Sequence, residues 1–388
     1  GGEVLGRDTW SERQRRKEDR ERERDRNRSR DMQRNRNRNR NRNKSRSRSR
    51  SDSEGHISDK VKNITERYEV VKQLDRGTFG AVFKAYDTKH KEHVAIKVVR
   101  RVKRYVEDAE IECKILQKLA NLDKTQAYCV VRYSSFHFKH HFCIVTEMLG
   151  SSLFYALKKF KESNTGALGV RPNTLKNVSR QLVEAMKFLE EAHLIHADLK
   201  TENVLLQKPD MSLEQDNPRV KLIDFGAATW ETDEHSTTIQ TRHYRAPEVV
   251  LNMPWTYPCD LWSVACIILE LHEGILTFDT HEIAQHLAMM EKLCGPIPLE
   301  MARDAKNEAK DCFDWEGILD WPALSGGSLT QHRDKKAEKE VDNTRSLMDR
   351  LSSTKETELR EMLDKLLVLN PNHRVGAAET LEARYFDP

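Results

Sequence analysis

The sequence predicts an α+β chain of two lobes, a small β-rich lobe followed by a larger helical one, behind a disordered basic tail. Three observations carry this. The start is rich in Arg and Ser and nearly free of apolar residues. A series of short Val, Ile, Phe and Tyr runs follows, and helical periodicity takes over after Gly150. The boundaries read from these shifts are 1–60 for the tail, about 68–149 for the first lobe and about 150–386 for the second.

Residues 1–60 hold 21 Lys and Arg against 12 Asp and Glu, out of chain totals of 66 and 62. The other residues therefore carry 45 basic and 50 acidic side chains, so the net +4 joins a basic tail to a mildly acidic body. The Asn-Arg repeat from Arg34 to Asn43 and the alternation from Ser45 to Ser51 offer almost no apolar surface to offset chain entropy. Such a tail reads either as a solubility linker or as a nuclear-import or RNA-contacting arm, because clustered Arg neutralises phosphates whatever the base sequence. The Arg-Ser alternation favours the second reading, since each Ser becomes part of a phosphate–cation array when phosphorylated. Nuclear localisation, with some cytoplasmic presence, and a weak RNA contact are the expectations.

Seven cysteines are scattered without a Cys-x-x-Cys pair, so no zinc or disulfide framework is readable. A reducing intracellular compartment is expected. The longest apolar stretch, from Leu261 to Leu271, is too short for a bilayer and contains Glu270. The start shows no apolar h-region. A monomer with no membrane partner is expected.

The first lobe is built from expected strands at 68–74, 81–86, 93–99, 130–137 and 142–148. Between the third and fourth lies an expected helix at 106–119, with Ile111, Ile115, Leu116 and Leu119 as its apolar face. In the second lobe Leu175, Val178, Leu182, Met186 and Leu189 recur at three and four, a helical spacing. A cleft is expected where the lobes meet.

Five motifs fall in order along this frame. Between two strands, Gly77 and Gly80 flank Thr78 and Phe79 and allow a backbone approach to phosphate oxygens, although a plain hairpin turn explains them as well. Val94-Ala95-Ile96-Lys97 ends a strand on an ammonium suited to α- and β-phosphates, the bland alternative being a snorkelling surface Lys. Glu107, Glu110 and Glu112 on the next helix are all candidates for its acidic partner. In His196-Ala197-Asp198-Leu199-Lys200-Thr201-Glu202-Asn203, Asp198 suits a hydroxyl's proton, Lys200 a transferring phosphoryl group and Asn203 a magnesium ion. Asp224-Phe225-Gly226 closes an apolar strand with a second metal carboxylate, and Ala246-Pro247-Glu248 bounds the segment that begins there. Phosphoryl transfer asks for positioning and charge screening, which this set of side chains supplies.

Together the five resemble the protein kinase superfamily over residues 68–386. A second layer narrows the resemblance. His286-Leu287-Ala288-Met289-Met290-Glu291-Lys292, followed by Leu293-Cys294-Gly295-Pro296-Ile297-Pro298, resembles the EHLAMMER-x-x-G-P-x-P signature of the LAMMER, or CDC-like, kinases. Gln285 stands for that family's Glu and Lys292 for its Arg; an ordinary amphipathic helix with a Met-rich core face is the plainer reading of the run. Thr241-Arg242-His243-Tyr244-Arg245-Ala246-Pro247-Glu248-Val249 and Asp233-Glu234-His235-Ser236-Thr237 also resemble that family's activation segment.

The resemblance implies a bilobal kinase fold, ATP and Mg²⁺ as cofactors, and dual-specificity transfer to Ser, Thr and Tyr of Arg/Ser-rich splicing factors. It implies an adenine pocket framed by Leu74, Val82, Ala95, Leu205 and Ile223, a gate at Thr146 and a hinge from Glu147 to Leu149. It favours Glu112 as the partner of Lys97 and implies a buried Glu248–Arg374 pair. Besides Gln285 and Lys292, four positions depart from the family or superfamily pattern. Asp75 stands for the first glycine of the loop and Thr146 for a bulkier Phe. Ala197 stands for the family's Thr and the superfamily's Arg, and Thr201 for the common Pro. Without a cation at 197, activity is expected without phosphorylation of Ser236, Thr237, Thr238 or Thr241. Autophosphorylation is expected between Ser45 and Ser53. A dual-specificity tyrosine-regulated or SR-protein kinase is the neighbouring alternative, against which the Leu-Ala-Met-Met-Glu run argues. A pseudokinase scaffold is the alternative from another class, and only Asp75 speaks for it.

Overall fold

The computed structural model describes residues 63–322 and 335–387. The tail and its Arg-Ser run, with the phosphorylation expected there, lie outside the described residues. Six strands form one antiparallel sheet: β1 (Asn63–Ile64), β2 (Tyr68–Arg76), β3 (Gly80–Asp87), β4 (Glu92–Val99), β5 (Arg132–Phe138) and β6 (His141–Glu147). Their order across the sheet is β1-β2-β3-β4-β6-β5. The ordered sheet thus begins at Asn63, ahead of the start expected at 68. Ile64 is fully buried, and a single apolar residue has no periodicity to announce it.

Strand alternation decides which side chains reach the cleft. Ala81, Phe83 and Ala85 of β3, with Val94, Ile96 and Val98 of β4, are buried on one face with Cys143 and Val145. Cross-strand partners share a face, and Val82 pairs with Lys97 while Ala95 pairs with Thr146. Val82, Ala95, Lys97 and Thr146 therefore all sit on the opposite face, toward the second lobe.

Helix α1 runs over Lys103–Leu122, longer than expected at both ends. Its buried residues are Tyr105, Ala109, Glu112, Cys113, Ile115, Leu116 and Leu119, whereas Ile111 is 51% exposed. Ile115, Leu116 and Leu119 are buried as expected, and Ile111 alone lies off the face, because a stripe read from apolar residues alone skips Glu112, the carboxylate at its centre.

The second lobe contains α2 (Leu153–Ser163), α3 (Pro172–Glu191), α4 (Pro247–Val250), α5 (Pro258–Glu273) and α6 (Ile283–Cys294). Ser152 caps α2 by accepting from the Tyr155 amide at 3.4 Å, and Pro172 opens α3, where its missing N–H costs nothing. Leu175, Val178, Leu182, Met186 and Leu189 are all buried, as their spacing predicts. The stretch from Leu261 to Leu271 is buried along its whole length within α5, the central post of the lobe. No helix among the described residues is long and apolar enough to cross a membrane. All seven cysteines are unpaired, and six are buried.

Two short antiparallel pairs follow, of which only the strand that ends before Asp224 was expected from its apolar run. Leu194–Ile195 (β7) pairs with Thr229–Trp230 (β10), and Val204–Leu206 (β8) with Val220–Leu222 (β9). They hold the loops that carry Asp198 and Asp224. In α6 every residue from Ala284 to Met290 is buried. Gln285 accepts from Thr280 Oγ1 at 2.7 Å and donates to Glu340 Oε2 at 3.0 Å. Glu291 Oε1 accepts from the Ile297 amide at 2.9 Å, which folds the Gly-Pro-x-Pro ending back on the helix.

Candidate active site

At the phosphate end, β2 and β3 are joined by a tight turn in which the Gly77 amide donates to the Gly80 carbonyl at 2.9 Å. A Cβ at Gly80 would meet the Val98 carbonyl oxygen at 2.1 Å, so close strand packing requires this glycine. A Cβ at Gly77 meets nothing within 4 Å. Phe79 packs edge-on against Tyr105 at 5.0 Å and lines a pocket with Lys97, Glu112, Asp224 and Gly226. It sits at the phosphate end, away from the adenine frame. Asp75 turns its Oδ1 to the Arg76 amide at 2.8 Å.

Lys97 Nζ donates to Glu112 Oε2 at 2.8 Å and to Asp224 Oδ1 at 3.2 Å. Of the three acidic candidates on α1, the structure brings Glu112 to Lys97. Burial works against the ammonium, yet Asp224 and Glu112 hold the Lys97 pKa above the ordinary lysine value. Burial pushes the Glu112 carboxyl up, against the pull of Lys97. Asp224 adopts φ 61°, a left-handed conformation that Asp tolerates better than most residues, and this turns its carboxylate to Lys97. Glu112→Gln is expected to raise the KM for ATP about tenfold, the ratio for ~1.4 kcal/mol lost from a charge-assisted bond. Steady-state kinetics with an unchanged KM would show that Lys97 keeps its place without Glu112.

Asp198, in the loop between β7 and β8, is held from several sides. Its Oδ2 accepts from Lys200 Nζ at 2.8 Å, and its Oδ1 accepts from the Thr241 amide at 3.1 Å and from Thr241 Oγ1 at 2.7 Å. Lys200 Nζ also donates to Thr241 Oγ1 at 2.9 Å. Asn203 Nδ2 donates to the Asp198 carbonyl at 2.8 Å, which leaves Oδ1 as its oxygen donor. His196 Nε2 donates to the Ile223 carbonyl at 3.1 Å while Nδ1 accepts from the Asp198 amide at 3.3 Å, so the ring takes the Nε2–H tautomer. Asp260 accepts from the amides of His196 at 2.7 Å and Ala197 at 3.0 Å. Burial raises the Asp260 pKa against these donors.

At the other end of the cleft, Val82, Ala95, Thr146, Leu205 and Ile223 are half-buried, Leu149 is buried and Leu74 is 40% exposed. Glu147 turns its side chain out of this end. Its Oε1 accepts from the Val131 amide at 2.8 Å and from the buried Lys221 Nζ at 2.6 Å, and its own amide donates to the Val131 carbonyl at 3.0 Å.

ATP and Mg²⁺ suit these residues. Asn203 and Asp224 offer hard oxygen donors of the kind Mg²⁺ takes. Two carboxylates against one ammonium leave the Lys97, Glu112 and Asp224 group net negative, which a divalent cation balances. The half-buried aliphatic side chains of Val82, Ala95, Leu205 and Ile223 offer apolar surface suited to a flat ring.

Sequence reasoning missed three residues here. Thr241 was read as a phosphorylation candidate, yet it is buried and spent on Asp198 and Lys200. Asp260 lies far along the chain in an apolar helix and carries no local signal. Thr201, noted only as standing for the common Pro, is buried with its hydroxyl 3.0 Å from the Tyr244 hydroxyl. Glu248 and Arg374 meet as the resemblance implied, at 2.8 Å and with both side chains fully buried.

The segment from Asp224 to Glu248 is anchored by neutral contacts and by cations from outside position 197. His235 stacks on Trp255 at 4.2 Å, and Trp255 Nε1 donates to the Ser236 carbonyl at 2.7 Å. Arg245 donates to the carbonyls of Ile239 at 3.0 Å and Gln240 at 2.9 Å. Lys118 of α1 lies 3.7 Å over the Trp230 ring.

A protein kinase domain matches residues 68–386. Serine/threonine-protein kinase AFC3 of Arabidopsis thaliana is 36% identical over 350 residues, covering 86% of this chain and 85% of that protein. Dual specificity protein kinase CLK2 of Homo sapiens is 34% identical over 351 residues, covering 86% and 67%. A crystal structure of a kinase domain superposes with a TM-score of 0.76 at 31% identity, covering 86% of this chain and 99% of that one. With this site, this fold and these relatives, the chain belongs to the protein kinases and, among them, to the LAMMER or CDC-like family.

Proposed function

We propose that this kinase is a nuclear dual-specificity enzyme that uses ATP and Mg²⁺ to phosphorylate Arg/Ser-rich splicing factors, without needing a phosphate in its own activation segment. One observation carries the reading: Asp198, Lys200 and Thr241 are already bonded to one another, beside a segment that packs through neutral contacts around Ser236 and Trp255. ATP with its metal supplies the phosphoryl group and the cation that screens it. Asp198 receives the proton of the incoming hydroxyl, and Lys200 faces the charge that develops on the transferred group. Lys97, held by Glu112, binds phosphate oxygens, and Asn203 with Asp224 would hold the metal.

Dual specificity is supported by the names of several relatives, CLK2 and lkh1 of Schizosaccharomyces pombe among them. The mildly acidic body suits an Arg-rich substrate, which the chain's own run from Ser45 to Ser53 mimics. Ala197 is fully buried, with its amide on Asp260 and its carbonyl on Gln240, so position 197 serves internal bonding.

Phosphatase-treated protein is expected to phosphorylate an Arg-Ser peptide at the untreated rate, and a Tyr-containing peptide at a measurable one. Activity that disappears on dephosphorylation and returns on rephosphorylation sinks the regulatory part. A preference for Pro-directed peptides free of Arg sinks the substrate part. Mass spectrometry after incubation with ATP and Mg²⁺ is expected to find phosphate between Ser45 and Ser53.

A further inference from the structure

Ala197 and Gln240 both have φ of 61°, a left-handed conformation unfavourable for any residue with a side chain, and they are bonded to each other. The Gln240 amide donates to the Ala197 carbonyl at 2.9 Å. Gln240 is 3% exposed, and its side chain is fully engaged. Nε2 donates to the Cys259 carbonyl at 2.7 Å and to Ser263 Oγ at 2.9 Å, both on α5. Oε1 accepts from the Ala246 amide at 2.9 Å, and the backbone carbonyl accepts from Arg245. One residue thus ties the catalytic loop, the start of the Ala246-Pro247-Glu248 segment and the central helix together.

The residue that follows is Thr241, whose amide and hydroxyl both reach Asp198 Oδ1. A peptide bond links the clamp to the donors that hold the catalytic carboxylate. Asp260 braces the catalytic loop from the other side through the amides of His196 and Ala197, so α5 frames both partners. We propose that Gln240 is a positioning residue for phosphoryl transfer: its buried amide clamp fixes Thr241 and, through Thr241, the carboxylate of Asp198. A buried Gln that only filled space would need neither the left-handed backbone nor partners on three separate elements.

This deepens the reading of a phosphate-independent segment, and the two fail separately. Phosphatase sensitivity sinks the earlier reading, whereas the present one is decided by a mutant cycle. Gln240→Met keeps the volume and removes the side-chain bonds; Gln240→Gly removes them while relieving the backbone. Each is expected to lower kcat about 10²-fold, the scale for an ångström-sized displacement at the reacting groups. The KM for ATP is expected to stay within about twofold, because nucleotide binding rests on other residues. Adding either change to Thr241→Val is expected to cost less than the sum of the two separate losses, since the clamp acts through Thr241, whose amide still reaches Asp198 when the hydroxyl is gone. Rates are counted per active site by titration with a nucleotide analogue. Additive losses, or a lowered melting temperature with kcat per active site unchanged, overturn the proposal. If Gln240→Met does not fold, Gln240→Glu carries the same cycle, because it keeps the acceptor for Ala246 and loses the donor to Cys259 and Ser263.

Discussion

Asp198→Ala is expected to lower kcat by about 10²–10⁴-fold, the range for removing a positioned general base. The KM for ATP is expected to change little, because the nucleotide end of the cleft is built from other side chains. The physical reason lies in the crowding of donors around this carboxylate. Lys200 Nζ, the Thr241 amide and the Thr241 hydroxyl all point at it, an arrangement that favours a negative charge facing the incoming hydroxyl. Asn is a poor neutral control here. Its amide would present hydrogens to Lys200 or to Thr241, so Asp198→Asn is expected to disturb the loop as well as the chemistry. The measurement is single-turnover transfer to an Arg-Ser peptide, with nucleotide binding followed in parallel. Retention of more than about a tenth of the normal rate, well outside that range, would mean that the hydroxyl proton leaves by another route.

The largest expected loss of stability comes from breaking the Glu248–Arg374 pair. Both side chains are fully buried, joined by two bonds at 2.8 and 2.9 Å, and Arg374 also donates to the carbonyls of Pro258 and Val368. Removing one partner strands the other charge without water, so Glu248→Met is expected to cost about 3–5 kcal/mol in chemical denaturation. Replacing both residues with Met is expected to cost less than either single change, because no buried charge is left unpaired. A Glu248→Met protein as stable as the parent would show that Arg374 is satisfied by its carbonyl partners alone.

Much of the site was readable because its chemistry depends on residue types at short, ordered spacings. The motifs around Lys97, Asp198, Asn203 and Asp224 each lie within one strand or loop, so local sequence holds them together. The partner of Lys97 was different. Three carboxylates on one helix were candidates, and although the resemblance favoured Glu112, the physical choice among them depended on the rotation of α1. Glu112 lies at the centre of the buried stripe, and the exposed Ile111 shows how far a stripe drawn through apolar residues alone misses that rotation. The side chain of Glu147 was unreadable for a related reason. Its partner Lys221 comes from a strand of the other lobe, and only packing decides that the pair forms away from the cleft.

The sequence by itself determined the two-lobed α+β order, the strand alternation that sends Lys97 and Ala95 to one face, and the types of charge that handle phosphate. These follow from periodicities of two and 3.6 residues and from motifs short enough to be local. Tertiary structure alone decided how the catalytic carboxylate is held. Thr241, Gln240 and Asp260 reach the loop at Asp198 from points distant along the chain, and hydrogen bonds of about 3 Å require a closeness that no spacing in sequence encodes. The glycine loop shows the same division. Its place between two strands was legible, but only the 2.1 Å approach of the Val98 carbonyl explains why Gly80 has to be a glycine.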